Sequence, residues 1–251
     1  PGRGEPVRGA ARGDRGRLIF RVDSAAEGED PEMDTTTGTE RRDALLQLAL
    51  DKGALRFGDF ELKSGRRSPY FFDAGRLDDA RALALLGEGY AATIVEVNLA
   101  FDLLFGPAYK GIPLAVATAT ALARAHNVNC GIAYDRKEVK DHGEGGRTVG
   151  ASLGGRVLLI DDVITAGTAV RGVLPLIEAA GGTLVGILTM LDRQERGQGE
   201  RSAIQELAAE LAVPVRSILT LDDLMAWLEA SGRRDELIRV AGYRERYGAV
   251  A

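Results

Sequence analysis

Short apolar runs alternating with Ala- and Leu-rich helical segments constrain this chain more than any other feature. Val157 to Ile160 is wholly apolar and Leu184 to Leu191 nearly so. A strand with no polar side has both faces covered, the condition of a mostly parallel sheet between helices. The patterning predicts a helix through Ala44–Ala49 stopped by Gly53, then a hairpin running Phe57–Lys63, turning at Ser64-Gly65 and returning along Tyr70–Phe72. Helices are predicted at Asp79–Val97, Ile112–His126 and Thr168–Ala180, and short strands at Asp102–Phe105 and Gly131–Tyr134. Arg136 to Ala151 has no apolar periodicity and reads as a long polar loop. The C-terminal third reads as helices around Ala203–Leu211, Leu221–Ala230 and Glu236–Arg246. The expected fold is therefore α/β, a mostly parallel central sheet flanked by helices, with a small N-terminal β hood. Ligands of such sheets bind in the loops that follow the strands.

The chain's 251 residues suit one such domain with small additions. Residues 1–38 differ from the rest: Gly- and Arg-rich, then acidic, with little apolar surface to offset the entropy of ordering. They are expected to form a disordered extension ahead of a domain at 39–251, and Met33 is the expected natural start. The competing view, an RNA-binding or targeting arm, is disfavoured because the segment's charges nearly cancel. Across the chain 37 acidic residues face 32 basic ones, which argues against a protein built to coat nucleic acid. The single Cys130 leaves no internal disulfide and fits a reducing compartment. No apolar run approaches the roughly 20 residues of a bilayer crossing. A cytoplasmic protein without membrane or nucleic-acid partners is expected. His126 and Cys130 make too small a ligand set for zinc and are assigned no function.

The chemistry concentrates in Val157-Leu158-Leu159-Ile160-Asp161-Asp162-Val163-Ile164-Thr165-Ala166-Gly167-Thr168-Ala169. An apolar strand delivers adjacent carboxylates to its carboxyl end, a turn of small and hydroxyl residues follows, and a helix begins. Successive residues leaving a strand point different ways, so Asp161 and Asp162 can divide between sugar hydroxyls and a hydrated Mg²⁺. Thr165 to Thr168 can wrap a phosphate with backbone N–H groups at the helix's positive end. A lone Asp-Asp pair would suit a solvated turn equally well; the Thr-Ala-Gly-Thr at this spacing is what favours a site. There is no Gly-x-x-x-x-Gly-Lys-Ser/Thr, and so no nucleoside triphosphate loop of that kind.

Leu158 to Ala169 resembles the phosphoribosyl pyrophosphate motif of type I phosphoribosyltransferases, and four further segments resemble the orotate phosphoribosyltransferase family in particular. Phe60-Glu61-Leu62-Lys63-Ser64-Gly65 with Ser68-Pro69-Tyr70-Phe71-Phe72 is similar to its orotate-binding hairpin. Phe105 to Gly111 resembles its pyrophosphate loop, Arg136 to Gly146 its mobile catalytic loop, and Leu191 to Arg196 the segment whose arginine meets the base. The resemblance runs from about residue 40 to the C-terminus.

The resemblance implies the type I phosphoribosyltransferase fold and transfer of the 5-phosphoribosyl group from phosphoribosyl pyrophosphate to orotate. It implies contacts to phosphoribosyl pyrophosphate from Lys63, Tyr109, Lys110, Arg136, Lys137, Lys140 and His142, and from Asp161, Asp162, Val163, Ile164, Thr165, Ala166, Gly167, Thr168 and Ala169. Lys140 is expected to act in the transition state beside Asp161 and Asp162, while Mg²⁺ is held mainly by the substrate's diphosphate and water, with the two aspartates as candidate contacts. Orotate is expected to meet Phe71 and Phe72 as an aromatic wall, Thr165, and Arg193, whose planar fork suits a carboxylate or carbonyl. A homodimer with loop residues reaching the neighbouring site is also implied. Plain packing is the alternative for the phenylalanines, and a solvated charge run for Arg136–Lys140. Two other functions stay open: a phosphoribosyltransferase for purines or uracil, which would not need the Lys63–Phe72 hairpin or Arg193, and a non-catalytic regulator, which could lose the loop lysines.

Overall fold

The fold is that of a computed structural model describing residues 37–250 except 63, 141–145, 165, 166 and 198, with the side chains of Val139 and Lys140 also left out. The predicted N-terminal extension, Lys63, His142, Thr165 and Ala166 thus lie outside the described residues.

The first helix, α1 (Gly38–Asp51), starts because Thr37 caps it: its hydroxyl accepts the Glu40 N–H while the Glu40 side chain accepts the Thr37 N–H. Such a reciprocal cap satisfies two amides left over at the helix end. Leu45, Leu46 and Ala49 form the buried stripe. Gly53, at φ +64°, turns the chain into β1 (Leu55–Glu61) and β2 (Arg67–Phe72), an antiparallel pair with an irregularity between Phe57 and Phe60. This is the predicted hood.

The central sheet has six strands. They are β3 (Leu103–Gly106), β4 (Gly131–Lys140), β5 (Gly146–Gly150), β6 (Arg156–Ile160), β7 (Thr183–Asp192) and β8 (Val215–Thr220), in the order β5-β4-β3-β6-β7-β8. Every pairing is parallel except that of β4 with β5. Between strands lie α2 (Ala80–Glu96), α3 (Gly111–Ala125), α4 (Thr168–Ala179) and α5 (Ala203–Leu211), and α6 (Leu221–Ala230) and α7 (Arg234–Tyr247) close the chain. Period-two alternation sends Leu158 and Ile160 into a core shared with α1, α2, α3, α6, α7 and the hood, while Val157 and Leu159 join α4 and α5 on the other face. Covered on both faces, β6 has no need of a polar side. Among the described residues no helix is long and apolar enough to cross a membrane.

Two expectations change. The stretch read as a long polar loop from Arg136 to Ala151 is largely strand: β4 runs on to Lys140 and β5 returns beside it. The strand β8 was not expected at all. The two misreadings have different causes. The end of β4 beyond Tyr134 pairs only with β5, so its polar residues meet no core, and Val215-Arg216-Ser217-Ile218-Leu219-Thr220 is short enough to merge into the helices around it.

Candidate active site

Because β3, β4, β6 and β7 are parallel, their carboxyl ends share one edge of the sheet. Adjacent strands β3 and β6 send their following helices to opposite faces, α3 into one core and α4 into the other. A crevice opens between strand ends where successive helices diverge in this way. Close packing brings its walls together: a Cβ on Gly111, the first residue of α3, would lie 2.8 Å from the Ile160 carbonyl oxygen and 2.6 Å from Pro107 Cδ. Only glycine lets the start of α3 come that near the end of β6.

Asp161 and Asp162 sit at that end. Asp161 is 9% exposed and is anchored by its backbone: its N–H donates to the Leu188 carbonyl at 3.0 Å and its carbonyl accepts the Tyr90 hydroxyl at 2.7 Å. Its Oδ1 accepts the Asp162 N–H at 2.9 Å. Burial, with the neighbouring charges of Asp162 and Asp135, pushes the Asp161 carboxyl up to about 6, against the pull of the Asp162 amide and Lys110. Asp162 faces outward to a cation from the opposite wall, Lys110, whose Nζ is 2.8 Å from its Oδ2. That bond is the main cause of the raised Lys110 pKa.

Past the turn, Gly167 stands before α4 at φ +66° with no side-chain hydrogen bond to the helix's first amides. The first N–H groups of a helix carry the positive end of its dipole, a setting that attracts anions. A substituent at Gly167 would crowd Leu207 and Arg171 at 3.1 and 3.2 Å, and φ here is itself unfavourable to other residues. Val163 and Ile164 are half-buried, and Thr168 and Ala169 exposed at the helix start. On the β3 side, the turn carrying Lys110 contains a cis Ala108–Tyr109 peptide bond and is tied to β4 by the Ala108 N–H donating to Asp135 Oδ1 at 2.7 Å. Tyr109 is 65% exposed, and Lys137 Nζ lies 4.7 Å from its ring centre. The predicted cations Lys110 and Lys137 therefore converge on this turn, while Arg136, next to Lys137 on β4, is half-buried.

The donor set fits Mg²⁺. Two hard carboxylates stand together, one of them buried enough to resist ionisation without a cation nearby. Mg²⁺ commonly keeps water and substrate oxygens in its coordination, so one or two carboxylates from the chain suffice to hold it.

The predicted base pocket is only partly assembled. Phe71 and Phe72 do not make one wall, because neighbours on a strand face opposite ways. Phe71 meets Phe60, with ring centres 5.6 Å apart, and the Arg56 guanidinium at 5.2 Å, whereas Phe72 packs on the core. Arg193 lies at the junction of β7 and the hood. It is bonded to Glu195 at 2.6 Å and to the Ser68 hydroxyl at 3.0 Å, with its guanidinium 4.1 Å from the centre of the Tyr70 ring. Sequence reasoning placed Ser68, Tyr70 and Glu195 inside motifs without giving them individual roles, and it missed Tyr90. Only Tyr90, the lone aromatic in an Ala- and Leu-rich helix, gave a signal that could have been followed.

A pH test follows from Asp161. Unfolded, this carboxyl ionises near 3.8; folded, only near 6. Folding favours its protonated form, so this contribution is complete below pH 3.8 and is lost as pH rises through 6, a loss of about 3 kcal/mol by linkage. Asp161→Asn cannot ionise and is expected to raise the urea midpoint relative to wild type at pH 7.5, with the two curves drawing together below pH 4. A variant less stable than wild type at pH 7.5 would show that the ionised carboxylate is welcome in the fold.

The phosphoribosyl transferase domain family model matches residues 73–224. The orotate phosphoribosyltransferase of Saccharophagus degradans is 58% identical over 204 residues, 81% of this chain and 96% of that protein. The solved orotate phosphoribosyltransferase of Francisella tularensis superposes with a TM-score of 0.74 at 36% identity, covering 82% of this chain and 100% of that one. The Mycobacterium tuberculosis orotate phosphoribosyltransferase in complex with 5-phospho-α-D-ribosyl 1-diphosphate has a TM-score of 0.56 at 25% identity, covering 73% and 98%.

Proposed function

As the chain belongs to the orotate phosphoribosyltransferases within the phosphoribosyl transferase domain family, we propose that it transfers the 5-phosphoribosyl group of phosphoribosyl pyrophosphate to orotate. The products are orotidine 5′-phosphate and pyrophosphate, a step of pyrimidine nucleotide synthesis. The observation that carries this reading is the crevice between β3 and β6, where the paired carboxylates at the end of β6 meet Lys110 from the opposite wall, a few residues before α4 begins.

The reaction breaks the bond from the anomeric carbon to the diphosphate oxygen and makes one to a ring nitrogen of orotate. Positive charge grows on the ribose ring and negative charge on the leaving group. In this reading the α4 amides, with the turn Asp161–Ala169, take the 5-phosphate, and Asp161 and Asp162 orient the ribose hydroxyls. Lys110, Lys137 and Arg136, joined by Lys63, Lys140, His142 and Tyr109, meet the diphosphate. Lys110 leaves Asp162 for the diphosphate when substrate arrives, exchanging one anion for another at little cost. Asp161 and Asp162 would hold Mg²⁺ from the chain's side, and the ion would supply positive charge against the leaving diphosphate. Arg193 and the hood backbone near Phe71 and Phe72 present the base pocket, with Thr165 at its phosphate side. Stabilisation concentrated on developing charge is what speeds such a step. The same reading takes a homodimer in the cytoplasm as the working form, with the β4–β5 ribbon reaching towards the neighbouring site.

The deciding experiment follows orotate absorbance with purified protein, phosphoribosyl pyrophosphate and Mg²⁺, with adenine and uracil offered in parallel. Consumption of orotate that requires both phosphoribosyl pyrophosphate and Mg²⁺ is expected. Turnover of adenine or uracil in its place would move the chain to another branch, and no turnover of any base would favour a sensing role.

A further inference from the structure

After α7 the chain turns back along the segment that carries Arg193. The Arg196 N–H donates to the Tyr247 carbonyl at 3.0 Å, and the Ala249 N–H donates to the Gln194 carbonyl at 2.8 Å. Those two bonds pin the peptides on either side of Glu195, which stands opposite Gly248 in an antiparallel bridge. The Arg196 side chain adds a bond to the Arg246 carbonyl at 2.7 Å. Further along, the Val250 N–H donates to the Glu200 carbonyl at 3.1 Å, and the Val250 carbonyl accepts from the Gln205 side chain at 3.0 Å.

Two local features depend on this contact. Gln194 is left-handed, at φ +50°, a region uncommon for residues with a side chain. Its N–H donates to Asp192 Oδ1 at 2.7 Å while its carbonyl is held by Ala249, and such conformations persist where the surroundings over-determine them. Gly248 leaves α7 so tightly that a Cβ on it would lie 2.6 Å from the Arg244 carbonyl oxygen. The hood grips the same place, because Arg66 lies over the Tyr247 ring at 5.1 Å and 3.6 Å from Glu195. Glu195 in turn holds Arg193 at 2.6 Å. One carboxylate thus separates the pinned backbone from the guanidinium.

We propose that residues 247–250 position Arg193 for base recognition, by fixing the backbone that carries Glu195. The inference rests on the reading in which Arg193 meets orotate. Holding a binding group in place through the residues behind it sets how well it acts, even where those residues never touch the ligand.

Steady-state kinetics on the full chain, well below its melting temperature, test this. Ala249→Pro deletes the amide bonded to Gln194, and the Gly248 backbone before it, at φ −61° and ψ 144°, already suits a following proline. Gly248→Val forces the segment away from Arg244. Each is expected to raise the KM for orotate by about fivefold or more, the scale of one lost hydrogen bond, with the KM for phosphoribosyl pyrophosphate changed by less than about twofold. Val240→Ala, which hollows the buried side of α7, should lower the melting temperature and leave both KM values alone. On an Arg193→Lys background, Ala249→Pro should add little to the orotate KM, since both changes act through one side chain. Circular dichroism checks folding, and Ala249→Pro decides should Gly248→Val fail to fold. An orotate KM raised by Arg193→Lys but not by Ala249→Pro would overturn the proposal and leave the reading of Arg193 standing. An equal rise in Val240→Ala, or full addition of the two changes in the combined variant, would overturn it too. A wild-type KM in Arg193→Lys would remove the reading and the proposal together.

Discussion

Replacing Asp161 and Asp162 together with asparagine is expected to lower orotate turnover by about 10²-fold or more, the scale on which misplacing a reacting group acts. The substitutions keep size and hydrogen bonding but remove the negative charge from the end of β6. Three consequences coincide. In the proposed reading the ribose hydroxyls lose charged acceptors and Mg²⁺ loses its contacts from the chain, and Lys110 loses the Asp162 carboxylate 2.8 Å away. As the proposal has the two side chains acting on one sugar, the pair of changes is expected to cost little more than the worse single change. Steady-state kinetics on the two single variants and the double one checks this. The fall should be seen mainly in kcat and in the Mg²⁺ dependence, while the fold holds, since Asp161→Asn removes a buried charge. Full activity in the double variant would dismiss the crevice as the reaction site.

Arg193→Ala should produce the other large effect, and on two quantities at once. If Arg193 meets a charged group of the base in a desolvated pocket, its loss should weaken orotate binding by on the order of 2–5 kcal/mol. The same truncation leaves Glu195 without the guanidinium at 2.6 Å. Glu195 is largely buried, with Arg66 the other cation near it, at 3.6 Å, so stability should also fall, by up to about 3–5 kcal/mol. Arg193→Lys separates the two effects: an ammonium retains the charge near Glu195 but cannot form the fork or lie flat on Tyr70. The expected outcome is recovery of most of the melting temperature with the KM for orotate still raised. Wild-type KM in both variants would make Arg193 a strut between hood and sheet and nothing more.

Much of this arrangement could be read from the chain, because the signals that encode it are local. The apolar run Val157–Ile160 ending in Asp161-Asp162 and a small-residue turn fixes a strand, a site and a helix start within a dozen positions. Helices α5 and α6 fall where Ala203–Leu211 and Leu221–Ala230 were predicted, since capping residues and an apolar stripe mark both. What escaped is what distant residues decide. The Arg193–Glu195–Ser68–Tyr70 cluster joins positions 125 apart in sequence, and no periodicity announces it. Phe71 and Phe72, adjacent in the chain, were read as one surface although strand geometry parts them. The end of β4 becomes strand only because β5 lies alongside, a pairing that leaves no apolar periodicity in either segment.

That pairing has a consequence for anyone trimming the protein. Since β5 is the outermost strand on its side of the sheet, it shields the flank of β4. Exposed Lys137 and Arg147 lie along the β4–β5 ribbon, charges of the kind that discourage strands of other molecules from docking. Deleting the ribbon to make an inactive control would bare the hydrogen-bonding groups of β4 and invite self-association, so point substitutions are the cleaner way to silence this enzyme.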